Sequence, residues 1–322
     1  MLTKEKTPAL PTVLETVKAG LELTSQHLWL IVIPVLLDGF YWLGPRLSIR
    51  PLMEAFMGIL IQQAAATGQP LSTLDTFRET WDQLTLTVNL FTNISLPLIG
   101  VPTLMNGPTP EATPIQPSTM EISNVLIISL LLLLFMAMGL LLSVIYYGLV
   151  AQAVNQEPIH LSWFWRTLPK LLVKLTGQIL FVGALSLIIL FPLFCVSLFT
   201  SLFSLNLTMF LWFVGAMPLM ALILYGYFGP HGVFLNSRPV LTALRESILL
   251  VQMHLFSALG LFLLVYLLGN GLTILWQIAD DGSWLTVVSI VGHGFVSTSL
   301  AAATFIFYRD RYPTLQAVPP EK

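Results

Sequence analysis

Charge is what this sequence has least of. Only 9% of its 322 residues are Asp, Glu, Lys or Arg, against about 25% in an ordinary soluble domain. So few charges cannot coat the water-facing surface of a chain this long, which excludes a soluble globular protein. Cysteine is nearly absent: Cys195 stands alone, so no intramolecular disulfide can form. It lies inside an apolar run and reads as an apolar core residue. Basic charge is not in excess either, the net charge being -2. Nucleic acid is therefore not an expected partner, because phosphate binding needs a basic patch. The sequence has no Walker A loop, no His-Glu-x-x-His and no Gly-x-Ser-x-Gly. The paired acidic motifs of a metal-assisted membrane transferase are missing as well, and Asp280-Asp281, beside Gly282, is the nearest approach. The expectation is a protein that is not an enzyme, with no cofactor and no metal.

What the sequence has in abundance is apolar length. Hydrophobic residues make up 56% and the mean hydropathy is +0.83. The predicted fold class is an all-α integral membrane protein of about six transmembrane helices, with three cytoplasmic interfacial amphipathic helices arranged as internal repeats. The spans read as Leu28 to Leu43, Ser123 to Val150, Gly177 to Thr200, Leu207 to Phe228, Leu255 to Trp276 and Trp284 to Tyr308. The first is only about 24 Å long, short against a hydrocarbon core of about 30 Å. It carries Pro34 in its middle, and Pro192 and Pro218 interrupt the third and fourth.

The repeat unit is an interfacial helix feeding a span. Its fullest copy passes from Ile223 through an amphipathic segment, Pro239 to Gln252, into the fifth span. An earlier copy runs from Ile145 past Glu157-Pro158 to Arg166, a period of roughly 80 residues. A partial third copy is Leu14 to Gln26, where His27-Leu28-Trp29 corresponds to His254-Leu255-Phe256. Such a helix lies in the headgroup plane or forms the cytoplasmic end of a long span, and its sequence suits both. Met1 to Lys6 is polar and no apolar core begins before about residue 28, so no cleavable signal peptide is expected. The organisation is 1–44, interfacial helix plus first span; 45–121, an extracytoplasmic insert; 122–228, spans two to four; 229–312, interfacial helix plus spans five and six; and 313–322, a cytoplasmic tail.

Within the insert, Pro51 to Ala66 and Leu74 to Leu90 read as amphipathic helices broken by Thr67-Gly68-Gln69-Pro70. Beyond Leu96 prolines recur, and the chain is expected to run extended over a surface. The insert is expected to rest on the membrane face or cap the bundle. Asn93-Ile94-Ser95 fits a glycosylation sequon, a tripeptide common by chance. A cytoplasmic N-terminus places all of the 14 Lys and Arg inside except Arg46, Arg50 and Arg78, which satisfies the positive-inside rule. The expected location is the cell membrane, multi-pass, with both termini cytoplasmic and 45–121 outside.

The stretch Pro239 to Ser247, the apolar span after it, and the closing helix Ala301-Ala302-Ala303-Thr304-Phe305-Ile306-Phe307-Tyr308-Arg309-Asp310 together resemble the membrane domain of some glycerophosphoryl diester phosphodiesterases and related bacterial membrane proteins. The resemblance covers about residues 145 to 312. It implies a fold and a membrane setting. The family's catalytic domain is a separate soluble barrel with metal-binding carboxylates, which nothing here matches, so no catalytic residue is implied.

Ionisable groups inside a bilayer are costly and mark candidate sites. Asp38 lies about 15 Å into the first span. It is either a proton or cation site facing a cavity, or a structural group that reaches the outer interface or pairs with Arg46 or Arg50. His293, between Gly292 and Gly294, either titrates or makes one interhelical hydrogen bond, while Gly294, Thr298 and Ala302 form a small-residue stripe for close packing. Arg166, Lys170 and Lys174, at i, i+4 and i+8, and Arg245 are the candidate lipid headgroup contacts. His27 and His254 suit the headgroup boundary, His231 reads as a turn residue, and Asn206, Asn270 and Gln277 read as caps or interface groups. The lipid bilayer, anionic phospholipid and a membrane protein are the expected partners. Two functions stay open: a non-enzymatic component that organises lipid or a membrane partner, and a transporter or exporter subunit. An intramembrane enzyme is the remaining alternative.

Overall fold

A computed structural model describes residues 10–66, 78, 81, 85, 87–96, 99–110, 112–156, 161–201 and 203–316, with the backbone alone at 161–164. Helix α1 (Val13–Gln26) opens with a capping box. The Glu15 carboxylate accepts the Thr12 N–H at 2.7 Å, and Thr12 Oγ1 accepts the Glu15 N–H at 3.3 Å. The helix ends at His27, whose φ of -129° and ψ of 56° leave the helical region. A 3-10 turn (Leu28–Ile31) and α2 (Val32–Leu43) follow, and the chain bends by 93° at the break. Pro34 explains where α2 begins. It has no N–H for the Leu30 carbonyl, and in the first turn of a helix that missing N–H costs nothing. The segment Val13–Gln26 is therefore not a straight extension of the first span.

Strand β1 (Arg46–Ser48), α3 (Arg50–Ala66), a 3-10 helix (Leu90–Ile94) and strand β2 (Thr119–Glu121) make up the described insert. Then come α4 (Val125–Val154), α5 (Leu161–Ser201), α6 (Leu205–Gly226), α7 (Gly229–Asn236), α8 (Val240–Met253), α9 (Leu255–Trp276) and α10 (Thr286–Gln316). Among the described residues five stretches are long and apolar enough to cross a membrane, in α4, in α5, across α6 and α7, in α9 and in α10. A sixth is reached if the bent pair of α1 and Leu28–Leu43 counts as one. This is the helix content of a multi-pass membrane protein.

The described residues fall into two compact units, one drawn from Met1–Leu23, Tyr147–Val265 and Ser299–Lys322, the other from Thr24–Tyr146 and Tyr266–Thr298. In the first, α5 and α6 form a hairpin in which Gly215 sits under Leu193, so close that a Cβ would lie 2.4 Å from the leucine. Helix α1 meets α10 the same way: a Cβ on Gly20 would stand 2.3 Å from the Ser299 carbonyl oxygen. Ala243, Leu244, Ser247, Leu250 and Val251 are the buried face of α8, the 3.6-residue periodicity expected of it. Phe228 stacks on Phe307, ring centres 5.3 Å apart.

Three expectations fail in this unit. The basic segment around Arg166 is not a separate interfacial helix, because α5 runs unbroken for 41 residues through Pro169 and Pro192. His231 is not in a turn: Gly229-Pro230 starts α7, with the proline in the first turn where its missing N–H costs nothing. Cys195 is exposed on α5, not in a core.

In the second unit the insert departs from expectation too. Strands β1 and β2 pair in parallel, Arg46 opposite Thr119 and Ser48 opposite Glu121. Helix α3 matches the first expected helix. The break at Thr67-Gly68-Gln69-Pro70 lies outside the described residues, as does most of Leu74 to Leu90, whose end is corrected to extended Val88-Asn89 and a 3-10 helix from Leu90. Asn89 caps that helix, its Oδ1 accepting from Phe91 N–H at 3.2 Å and from Leu47 N–H at 3.0 Å.

Candidate functional site

The site begins with α2. Its residues Leu37, Asp38, Tyr41 and Trp42 are buried, the i, i+1, i+4, i+5 face of one helix. Asp38 has no exposed surface. Its two carboxylate oxygens accept consecutive backbone N–H groups, Leu104 at 3.0 Å and Met105 at 2.8 Å. One turn further on, the Tyr41 hydroxyl bonds Ser95 Oγ at 3.0 Å, which in turn bonds Thr103 Oγ1 at 3.2 Å. Trp42 Nε1 donates to the Asp281 carbonyl at 2.8 Å, and its ring meets Trp284 edge-on at 5.8 Å. Burial, and then Asp280 beside it, raise the Asp281 carboxyl above the ordinary value. Asp38 does not pair with either arginine proposed for it. Arg46 Nη2 donates to the Pro110 carbonyl at 2.7 Å, and Arg50 Nε to Glu54 at 2.6 Å. Burial pulls Arg46 below its usual value.

Beyond Leu96 the chain is enclosed at Val101, which is 3% exposed, while Asn106, Gly107 and Pro108 lie at the surface as expected. Phe91, just before it, stacks on Phe135 of α4 at 4.9 Å and meets Phe40 of α2 at 5.2 Å. Gly139, half-way along the 30 residues of α4, lies so near Ile94 that a Cβ would stand 2.1 Å from the Ile94 oxygen. Counted from Val125, that point is about 21 Å along the helix. Non-helical backbone at such depth survives only where protein or an enclosed cavity surrounds it, since every polar group needs a partner. Asp38 supplies two of those partners. The sequon is part of this packing: Ile94 and Ser95 are buried and the Asn93 amide donates to the Leu90 carbonyl at 2.9 Å.

His293 is half-buried, and its ring makes no hydrogen bond to a described residue. Its neighbours explain its setting. A Cβ on Gly292 would lie 2.6 Å from the Trp276 ring, and one on Gly294 3.1 Å from Val35. The two glycines let α10 close on α9 and α2, and Thr298 accepts the Tyr146 hydroxyl at 3.0 Å. Asp38 and His293 share no contact among the described residues, and no cluster of three metal-ligating side chains occurs among them.

The four candidate headgroup contacts divide. Arg166, Lys170 and Arg245 are exposed, with no acidic partner among the described residues. Lys174 is tied down, its Nζ donating to the carbonyl of Ser237, the left-handed residue (φ 51°) that closes α7. Of the capping residues, Ser204 and not Asn206 caps α6, accepting from Leu207 N–H at 3.3 Å, and the Asn270 amide turns back to the Tyr266 carbonyl. His231 bonds Thr304 through Nε2 at 2.9 Å, with Phe305 4.2 Å from its ring centre.

Sequence reasoning missed Leu104 and Met105, which act through backbone N–H groups that any residue would offer. It also missed Arg311, buried at 2% exposure with Phe307 under its guanidinium; the i, i+4 spacing of that pair was a readable signal. No family model, no curated protein and no solved structure matches this chain.

Proposed function

We propose that the protein is a non-enzymatic, multi-pass component of the cell membrane that binds anionic lipid and organises lipid or a membrane partner. The observation that carries this reading is α5. Its 41 residues extend about 62 Å, twice the hydrocarbon thickness of about 30 Å. The outer part presents Arg166 and Lys170 to solvent, and the apolar window that follows has no buried residue. Because one rigid helix carries both, the cations stand at a fixed distance from the lipid-facing surface. Each is worth about 1 kcal/mol to an anionic bilayer.

The finer parts of this reading are both termini in the cytoplasm, 45–121 outside, and an internal repeat. The repeat draws support from α1 and α8, each of 14 residues. Each ends at a histidine outside helical geometry, His27 at φ -129°, ψ 56° and His254 at φ -127°, ψ 35°, and an apolar segment follows each. The resemblance to the phosphodiesterase membrane domain belongs to the same proposal and brings no catalytic residue.

The test is native mass spectrometry of wild type and an Arg166→Gln, Lys170→Gln, Arg245→Gln variant with phosphatidylglycerol or phosphatidylcholine. At about 1 kcal/mol per cation, the variant loses on the order of a hundredfold in anionic-lipid retention. Equal retention overturns the reading. A second reading, a transporter or exporter subunit, is favoured by the fully buried Asp38 and the non-helical chain it holds. In proteoliposomes Asp38→Asn would then abolish proton- or cation-coupled flux with the fold intact.

A further inference from the structure

A buried arginine in the first unit has no hydrogen-bonded carboxylate among the described residues. Arginine is almost never fully buried unless paired, and a buried charge left uncompensated is strongly destabilising. Arg311 is 2% exposed. One face of its guanidinium lies on Phe307, with Cζ 3.6 Å from the ring centre. Nη2 donates to the Pro11 carbonyl at 2.8 Å. Nε and Nη1 are buried and have no acceptor among the described residues. Asp310 acts on this cation through its charge but gives it no hydrogen bond, its carboxylate being held by Arg309 at 2.9 Å.

The group that faces this cation makes the imbalance greater. His254, the residue that breaks α8 from α9, bonds Thr314 Oγ1 through Nε2 at 3.1 Å. Thr314 gives its own proton to the Arg311 carbonyl at 2.6 Å. Nε2 must then be the donor, and the neutral ring keeps Nδ1 as a lone pair. Burial, and after it the Arg311 charge, hold His254 below the usual histidine value. Among the described residues no carboxylate hydrogen-bonds either group, and the one that acts on Arg311, Asp310, is shared with Arg309.

We infer that Arg311 forms a seat for a phosphate-bearing anion, beside which His254 offers a donor only when Nδ1 takes up a proton. Nε carries one unpaired N–H and Nη1 two, an array that suits the several oxygens of a tetrahedral oxyanion and exceeds what a single carbonyl satisfies. The seat is closed in this conformation, and an anion enters by displacing the Pro11 carbonyl from Nη2. The inference rests on the anionic-lipid reading for its ligand class and names a separate seat for it, remote in sequence from Arg166 and Lys170. The phosphate belongs to a lipid headgroup or is free phosphate.

The test uses the full chain, in detergent with inorganic phosphate and in nanodiscs of phosphatidylglycerol or phosphatidylcholine, reading thermal midpoint and retained mass. Wild type is expected to be stabilised by one of these and to retain one phosphate-bearing molecule. Stabilisation in phosphatidylglycerol nanodiscs alone assigns the headgroup, and stabilisation by phosphate in detergent assigns the free ion. Arg311→Lys, which keeps charge but loses the fork, is expected to weaken retention at least tenfold. The Arg166, Lys170 and Arg245 triple variant keeps that one molecule, which separates failure of this inference from failure of the surface-lipid reading. Undiminished retention in Arg311→Lys overturns the seat. If no Arg311 variant folds, the wild-type arms decide alone: no retained anion and no shift with any of the three probes overturns it.

Discussion

The α5–α6 hairpin and the α2–insert assembly meet the same constraint in opposite ways. No residue of the apolar windows in Trp165–Ser201 and Leu205–Asn236 is buried. Those helices satisfy their own backbone and need no protein neighbour in lipid. The insert is non-helical at 99–105, so its N–H groups need acceptors from elsewhere. Asp38 provides them for Leu104 and Met105, and Asn89 does the same for Leu47 and Phe91. Local sequence therefore suffices for the hairpin, whereas the insert depends on particular distant residues, and substitutions in the two regions should behave differently.

The largest break in that comparison is Asp38→Val. It strands two buried N–H groups, each worth about 1–3 kcal/mol when left unsatisfied, so a loss of about 2–6 kcal/mol is expected in equilibrium unfolding from mixed micelles. Asp38→Asn keeps one acceptor oxygen and should lose about half as much. Wild-type stability in Asp38→Val would mean the segment does not depend on its latch.

Next is a matched pair of glycines. Gly139→Ala places a methyl 2.1 Å from the Ile94 oxygen and should cost about 1–3 kcal/mol by overpacking. Gly183→Ala, on the hairpin, meets nothing within 4 Å and should gain up to about 1 kcal/mol from helix propensity. Two changes of the same sign would show that one of the two regions has been misjudged.

A smaller effect depends on pH and sits in the hairpin's own unit. His254 is faced by Arg311, with Asp310 next to it in sequence, and by the neutral Thr314. Folding lowers its pKa from 6.5, so as pH falls through 6.5 the unfolded chain takes up protons first. The neutral form's contribution is full above that value and shrinks below it. Between pH 7.5 and 5.5 wild type should lose no more than about 1 kcal/mol relative to His254→Gln. A gap between their thermal midpoints that does not change with pH would remove His254 as the titrating group.

How far the sequence anticipated this follows the same division. Apolar length marked the spans well: Leu255 to Trp276 is α9 to the residue, and periodicity found α1 and α8. Proline misled once in the first unit, because Gly229-Pro230 starts a helix where a turn was expected. The strand pair joins residues such as Arg46 and Thr119, too short and too far apart to leave a pattern. Of the candidate site only Asp38 was legible. Its partners are peptide N–H groups, which have no signature, and the buried Arg311 sits among residues that looked like a cytoplasmic helix end.

Cys195 carries the smallest prediction and the sharpest lesson about composition. An apolar residue in an apolar run suits a protein core and a lipid face equally, because lipid tails are as apolar as leucine. The structure exposes this thiol on α5, so Cys195→Ala removes no packed neighbour and should change stability by less than about 0.5 kcal/mol. A charged reagent does not enter hydrocarbon, so a charged maleimide should leave this thiol untouched in vesicles while an apolar, membrane-soluble one labels it. Labelling by both would place this part of α5 in water. A cost above about 2 kcal/mol would instead show a packed surface, and the hairpin would then depend on a neighbour just as the insert depends on Asp38.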